Sequence, residues 1–440
     1  MEKSMRTGWI VTLAGTGINL ALGILYAWSV IKNGIPDSWG WTNADKALPY
    51  SVAAFCFALA MVPAGRLQDK IGPKKVAAIG GILVGAGCIF TAFSGSSLLG
   101  FVIGFGIMVG MGIGFGYASA TPPAVKWFPP EKTGLIAGIV VAGFGLASVY
   151  IAPLASVLLE AFQTTNVSAS GMQIIEKGVS NTMLVFGISF LIVVVGLSQL
   201  LKNPPAGYVA PSTQASTGAT AQKKNEMTWK QMISTGQFWI MWLMYFGAAG
   251  AGLMFISVAA DLGKKSLGEL AFIAVAVLAV GNACGRILAG SVSDKIGRQS
   301  TLFIVFIFQA VVVLLLSFAA AGASWGALWL PILLLVILIG ANYGANLSIF
   351  PALTKDYFGM KNFGLNYGLI FTSWGAAGLA MPWINGLVRD MGKPHLSYWI
   401  IIATLVAGAC LTFVSKGLAN KDSGWNMKSN HTHASDLLTR

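Results

Sequence analysis

A single arginine stands well inside one of this chain's long apolar runs. Arg286 falls in the stretch 270–293, eight residues before Asp294. At 1.5 Å per helical residue it lies about 12 Å inside the helix end. A guanidinium at such a depth costs several kcal/mol unless it meets an anion, lines a substrate path or bonds to helix carbonyls. Its planar fork fits a carboxylate with two parallel hydrogen bonds. Asn282 precedes it by one helical turn on the same face and can donate to a carboxylate or a hydroxyl. No acid falls at comparable depth, so a permanent counter-charge is not expected. Paired carboxylates, metal-ligand spacings and nucleophile–base pairs are missing from the apolar runs, so no enzyme, cofactor or metal is expected. Cys56, Cys88, Cys284 and Cys410 all fall inside those runs and read as small packing residues.

The elements that must position Arg286 follow from composition. Hydrophobic residues make up 55% of the 440 and charged residues only 10%, against about 25% charged in soluble domains. Mean hydropathy is +0.73. Such a chain crosses lipid either as helices or as a closed barrel. Barrel strands alternate in polarity, whereas these runs are continuous and rich in glycine, which lets helices approach closely. The expectation is an all-α membrane protein. Spans of about 20 residues fall at 9–30, 47–64, 76–94, 98–120, 135–158, 183–201, 238–260, 270–293, 301–320, 327–350, 363–388 and 396–415. On that layout the termini and the loops after even-numbered spans hold 20 of the 28 Lys and Arg and net +12. The opposite side nets zero, and Arg286 alone lies within a span. This asymmetry places both termini in the cytoplasm of a plasma (inner) membrane. It accounts for the formal charge of +13 without a nucleic-acid partner. The first span opens a polytopic chain and reads as a helix, not a cleaved signal.

The chain divides into two related halves. Residues 202–234 form the longest polar interruption, a linker between bundles at 1–201 and 235–415, with a polar and disordered tail at 416–440. Gly65-Arg66-Leu67-Gln68-Asp69-Lys70-Ile71-Gly72 returns 225 residues later as Gly290-Ser291-Val292-Ser293-Asp294-Lys295-Ile296-Gly297, followed by Arg298. Trp127-Phe128 with Gly134 returns as Tyr357-Phe358 with Gly364 at a separation of 230. Matching separations argue for duplication, and parallel six-helix repeats occur in membrane transporters. The glycines allow a tight turn, and the aspartate suits a neighbouring helix N-terminus. Gly65, Asp69, Lys70, Gly290, Asp294, Lys295 and Arg298 are therefore candidates for a conformational latch.

These loop residues resemble the motif of the major facilitator superfamily, which implies twelve helices in two six-helix bundles. Further residues resemble the oxalate/formate antiporter and monocarboxylate transporter group within it. They are Tyr26-Ala27-Trp28-Ser29, Gly116-Tyr117, Lys126-Trp127-Phe128-Pro129, Asn282-x-x-x-Arg286, Phe350-Pro351, Phe358-Gly359 and Asn366-Tyr367-Gly368. The resemblance implies substrate contacts at Arg286, Asn282, Tyr26, Tyr117 and Tyr343, with Leu347 where the oxalate carrier has tyrosine. It departs at Trp374, where that carrier has a lysine. One cation and a bulky indole suit a small monoanion with an apolar end, such as L-lactate or pyruvate. A carboxylate exchanger and a transport-like sensor are the alternatives. The partners implied are a small carboxylate, a proton and the bilayer, with the monomer as working unit. Arg286 and Asp261 are the candidates for proton coupling. Asp261 lies some 34 Å along its helix from residue 238, near the outer surface, where a solvated charge is the competing role.

Overall fold

The computed structural model describes residues 2–129, 132–167, 173–205, 208, 226–322, 324, 328–359 and 362–437. Among the described residues, eleven helices are long and apolar enough to cross a membrane: α1 Met5–Lys32, α2 Asn43–Ile71, α3 Pro73–Phe93, α4 Leu98–Val125, α5 Leu135–Ala161, α6 Val179–Ser198, α7 Gly236–Ser257, α8 Gly268–Ile296, α9 Arg298–Ala320, α10 Trp329–Phe358 and the last, α12 His395–Leu418. Between the final two, α11 Phe363–Asp390 is a 28-residue helix packed along α2. The expected all-α architecture of twelve helices is what the chain adopts. Hydrocarbon leaves backbone groups no partner but the helix itself, and side chains cap some of the ends that reach the loops. Thr42 and Asp45 form a capping box at the start of α2. Gly72 and Gly297, the last glycines of the repeated loop pattern, sit at φ 87° and 90° and turn the chain into α3 and α9.

Three expectations change. Helix α1 does not stop at residue 30. It tightens into a 3-10 stretch at Gly23–Ala27 and resumes as Trp28–Lys32. Lys32, only 8% exposed, thus joins Arg286 within the spans. The segment after residue 415 was expected to be disordered, but the last helix runs on as His395–Leu437, with no proline in it to stop it. The loop between α5 and α6 pairs β1, Thr164–Val167, with β2, Gln173–Glu176, as an antiparallel hairpin. Most of the linker, including Lys223 and Lys224, lies outside the described residues.

Helices α1–α6 form one half and α7–α12 the other. The halves meet along α2 with α11 and α5 with α8. The bundle has a near end, which carries the linker and both termini, and a far end. A Cβ added to Gly386, at the far end of α11, would lie 2.6 Å from Ala44 of α2. At Gly378 the corresponding distance to Ala54 is 2.6 Å, at Gly368 it is 3.3 Å to Val62, and at Gly364 no atom comes within 4 Å. Helices α2 and α11 therefore touch at the far end and part towards the near end. The candidate site lies between those two regions.

Candidate substrate site between the halves

Backbone contact between α8 and α10 sets the geometry of the site. A Cβ on Gly285 would fall 1.9 Å from the Ala341 carbonyl oxygen, and one on Gly344 would fall 2.0 Å from that of Asn282. Only glycine permits this approach, which lays Asn282 and Arg286 of α8 beside Tyr343 and Leu347 of α10. The glycines of α4 join neighbours inside the first half: a Cβ on Gly112 would lie 2.7 Å from the Gly80 carbonyl oxygen.

Arg286 points towards α5. Its Nε donates to Asn282 Oδ1 at 3.1 Å and its Nη1 to the Val141 carbonyl at 3.4 Å. Among the described residues it forms no ion pair. Both partners are neutral dipoles. They orient the guanidinium and leave its charge without a counter-ion.

Aromatic side chains enclose it. A cavity between the halves is lined by Tyr26, Phe57, Tyr117, Phe144, Arg286, Leu347, Phe371 and Trp374. Trp374 Nε1 donates to the Tyr343 hydroxyl at 2.8 Å, and that hydroxyl lies 2.9 Å from the hydroxyl of Tyr26. This chain joins α11, α10 and the 3-10 stretch of α1, so it ties the two halves at the height of the cavity. Phe57 meets Trp374, Tyr117 and Phe144 edge-on or tilted, with ring centroids 5.2, 5.4 and 5.6 Å away. The cavity is contracted in this state, with room for about one water molecule. A larger guest requires the aromatic walls to move.

Five of the seven expected contact residues line the cavity, Arg286, Tyr26, Tyr117, Leu347 and Trp374, and the other two, Asn282 and Tyr343, hydrogen-bond to lining residues from behind. Phe57, Phe144 and Phe371 were not anticipated. Phenylalanine in an apolar helix carries no signal beyond hydrophobicity, and only the packing distinguishes these three from the others.

Asp261 does not reach the cavity, and it is not the solvated charge expected as the competing role. Helix α7 ends at Ser257 and the chain restarts as the short helix Ala259–Leu267. The break brings Asp261, whose side chain is 20% exposed, onto Lys32 of α1 and Arg389 of α11. One oxygen, Oδ2, accepts from both cations at 3.0 Å, and Lys32 also donates to the Ser257 carbonyl at 3.0 Å. Burial alone would push the Asp261 carboxyl up, but the two cations outweigh it and hold the group below its ordinary range. Beside this clasp, Asp390 of α11 accepts from the backbone of Asn43 and Ala44 at 2.8 and 2.9 Å, at the N-terminus of α2. Lys177 pairs with Glu269 at 3.5 Å. Apart from Arg389–Asp261, which lies within the second half, these ties join the halves at the far end.

The two loop copies differ. In the second, Arg298 pairs with Asp294 at 2.6 Å and with Asp356 at 3.4 Å, and it also bonds Ser293. These contacts stay within one half. In the first copy Pro73 stands where Arg298 stands in the second, and Asp69 and Lys70 form no ion pair among the described residues. No Cβ on Gly65 or Gly290 would touch anything within 4 Å, so neither glycine serves a close contact here.

Comparison with known proteins agrees with this architecture. The oxalate:formate antiporter of Oxalobacter formigenes is 27% identical over 403 residues, covering 89% of this chain and 87% of that one. The apicoplast pyruvate carrier 1 of Toxoplasma gondii is 25% identical over 384 residues, covering 77% and 69%. The fold matches the crystal structure of a bacterial homologue of the human lysosomal transporter Spinster, with a TM-score of 0.68 at 17% identity over 95% of this chain and 98% of that one. The profile of the Major Facilitator Superfamily matches residues 9–382 and again 266–430. With twelve helices in two halves and that match, the chain belongs to the Major Facilitator Superfamily.

Proposed function

We propose that this protein is a secondary active transporter of small monocarboxylates, with L-lactate or pyruvate as substrate and a proton as the coupling ion. The observation that carries the reading is Arg286: a cation between the halves, oriented by neutral dipoles, walled by aromatic rings, and without an acid partner among the described residues. A monocarboxylate supplies the missing charge, and its short apolar end fits against Phe57, Phe144 and Trp374. The two relatives named for carboxylates support the substrate class.

Transport follows from rocking of the halves around the fixed site. The charge bias of the loops supports a far end that faces outside, with both termini in the cytoplasm of a plasma (inner) membrane. The monomer contains the whole site. Entry of an anion against a negative interior needs a compensating proton or a counter-anion. Asp261, held ionised while it is clasped, takes up a proton only after the far end opens. This order makes it a candidate coupling group and Arg286 its partner through the substrate. A second reading, exchange of one carboxylate for another, is favoured by the similarity to an oxalate:formate antiporter. Trp374 in place of a second cation opposes a dianion.

Proteoliposomes separate the two readings. Symport predicts accumulation of labelled L-lactate driven by an acidic outside with an empty lumen. Exchange predicts uptake only when the lumen is preloaded with a carboxylate. Uptake with neither driving force would end the secondary-transport reading.

A further inference from the structure

Helix α5 contains two buried glycines that face the other elements, and packing explains only one of them. A Cβ on Gly143 would lie 2.5 Å from the Thr16 carbonyl oxygen, so that position must be glycine for α1 and α5 to meet. A Cβ on Gly145 would meet no backbone at close range. Its nearest neighbours would be Asn282 Nδ2 at 3.6 Å and Arg286 Nη2 at 3.7 Å, both ordinary contact distances. Those two atoms are donors. Arg286 Nε and Nη1 are already engaged, with Asn282 Oδ1 and the Val141 carbonyl. Asn282 is fully buried, and its Nδ2 has no hydrogen-bond partner among the described residues. A buried donor left unsatisfied is destabilising, and that loss is recovered when an acceptor arrives.

We infer that the space beside Gly145 is an anion subsite, a recess for one oxygen atom with Asn282 Nδ2 and Arg286 Nη2 as its donors. The point where a side chain would begin lies within about 1 Å of hydrogen-bond distance to both. The inference rests on the carboxylate reading above and adds to it the position of one carboxylate oxygen. Gly145 then supplies no bond itself, and its missing methyl keeps the recess open to the carboxylate oxygen. Because Gly145 belongs to one half and the donors to the other, an oxygen seated there also bridges the halves.

The test is the Gly145→Ala variant, whose methyl fits by contact distance yet fills the recess. Binding of L-lactate and of pyruvate to purified full-length protein is measured by calorimetry, together with the melting temperature without ligand. The expected result is weakening of roughly tenfold or more, by the same factor for both acids, at an unchanged melting temperature. The common factor follows because the carboxylate oxygen is shared by the two acids. Unaltered affinity, or weakening confined to one acid, would overturn the subsite while leaving the carboxylate reading intact. Wild-type protein that binds no carboxylate would overturn both. If Gly145→Ala melts early, Asn282→Leu removes the donor at a similar size without placing an acid on Arg286. Loss of binding of both acids supports the recess, and retained affinity removes it.

Discussion

Two places in this bundle hold cations between the halves, and they are built in opposite ways. At the far end Lys32 and Arg389 share one carboxylate oxygen of Asp261, each at 3.0 Å. At the centre Arg286 meets an asparagine side chain and a backbone carbonyl, both neutral. A partly buried cation with a resident acid is satisfied, and it ties together whatever helices carry the two groups. A cation held by dipoles alone is oriented but not neutralised, and the aromatic walls around Arg286 limit the water that could screen it. The placement of the acid therefore separates a structural tie from a binding group. Arg389 and Arg286 carry the same guanidinium, so the cation's chemistry is not what separates the two places.

The comparison can be broken most severely by giving the central cation a resident acid. Leu347 lines the cavity beside Arg286, so Leu347→Glu is expected to abolish carboxylate uptake in proteoliposomes while the protein still inserts and purifies. Uptake within about twofold of wild type would show that Arg286 does not need to be free. Next in size is Trp374→Lys, which adds a second cation to the cavity and removes an indole that donates to Tyr343. Lactate uptake is expected to fall by roughly tenfold, consistent with loss of one buried hydrogen bond and its packing, and oxalate should become an inhibitor. A variant that still ignores oxalate would remove charge count as the basis of selectivity.

At the far end the reverse change applies. Asp261→Asn leaves Lys32 and Arg389 facing each other across the halves without a carboxylate, and breaking such a pair costs up to about 3 kcal/mol. The far end should open more often, read as faster labelling of a cysteine introduced beside Lys32. If the proposed coupling is right, the same variant should also lose the pH dependence of uptake. The pH response of the clasp itself has a definite sign. Because the cations lower the Asp261 carboxyl, the tie is complete above the ordinary carboxylate range of about 4 and is lost only as pH falls through the depressed value. Labelling of substrate-free wild type should therefore be flat from about pH 7 to pH 5. A steep rise in that window would show that another group controls the far end. The smallest expected effect belongs to Asp390→Asn, which weakens the cap on the α2 N-terminus. It should cost about 1 kcal/mol, visible as a modest drop in melting temperature and a smaller labelling change than Asp261→Asn.

The two cation sites also differ in how legible they were. Arg286 announced itself because a lone arginine has no place in an apolar run, and Asn282 followed from helical spacing. Lys32, Asp261 and Arg389 each stand at a span end, where a charge reads as solvated. Their meeting depends on the 3-10 stretch that carries α1 on to Lys32 and on the break after Ser257, and neither feature has a strong sequence signature. The same limit applies to the aromatic wall. Tyr26, Tyr117, Tyr343 and Trp374 were expected through resemblance, whereas Phe57, Phe144 and Phe371 look like any phenylalanine in lipid. The repeated loop glycines at 72 and 297 were readable as turns. The partners of the loop charges were not, since Arg298 pairs with Asp356 from a distant helix.

The most direct measurement of the central claim is uptake of labelled L-lactate into proteoliposomes with an acidic exterior, comparing wild type with Arg286→Ala. Proton-driven accumulation is expected in the wild type and a loss on the order of a hundredfold in the variant, as befits removal of a charged binding partner. Accumulation by Arg286→Ala at the wild-type rate would contradict it, because the cation would then be a packing residue and the substrate's charge would be met elsewhere.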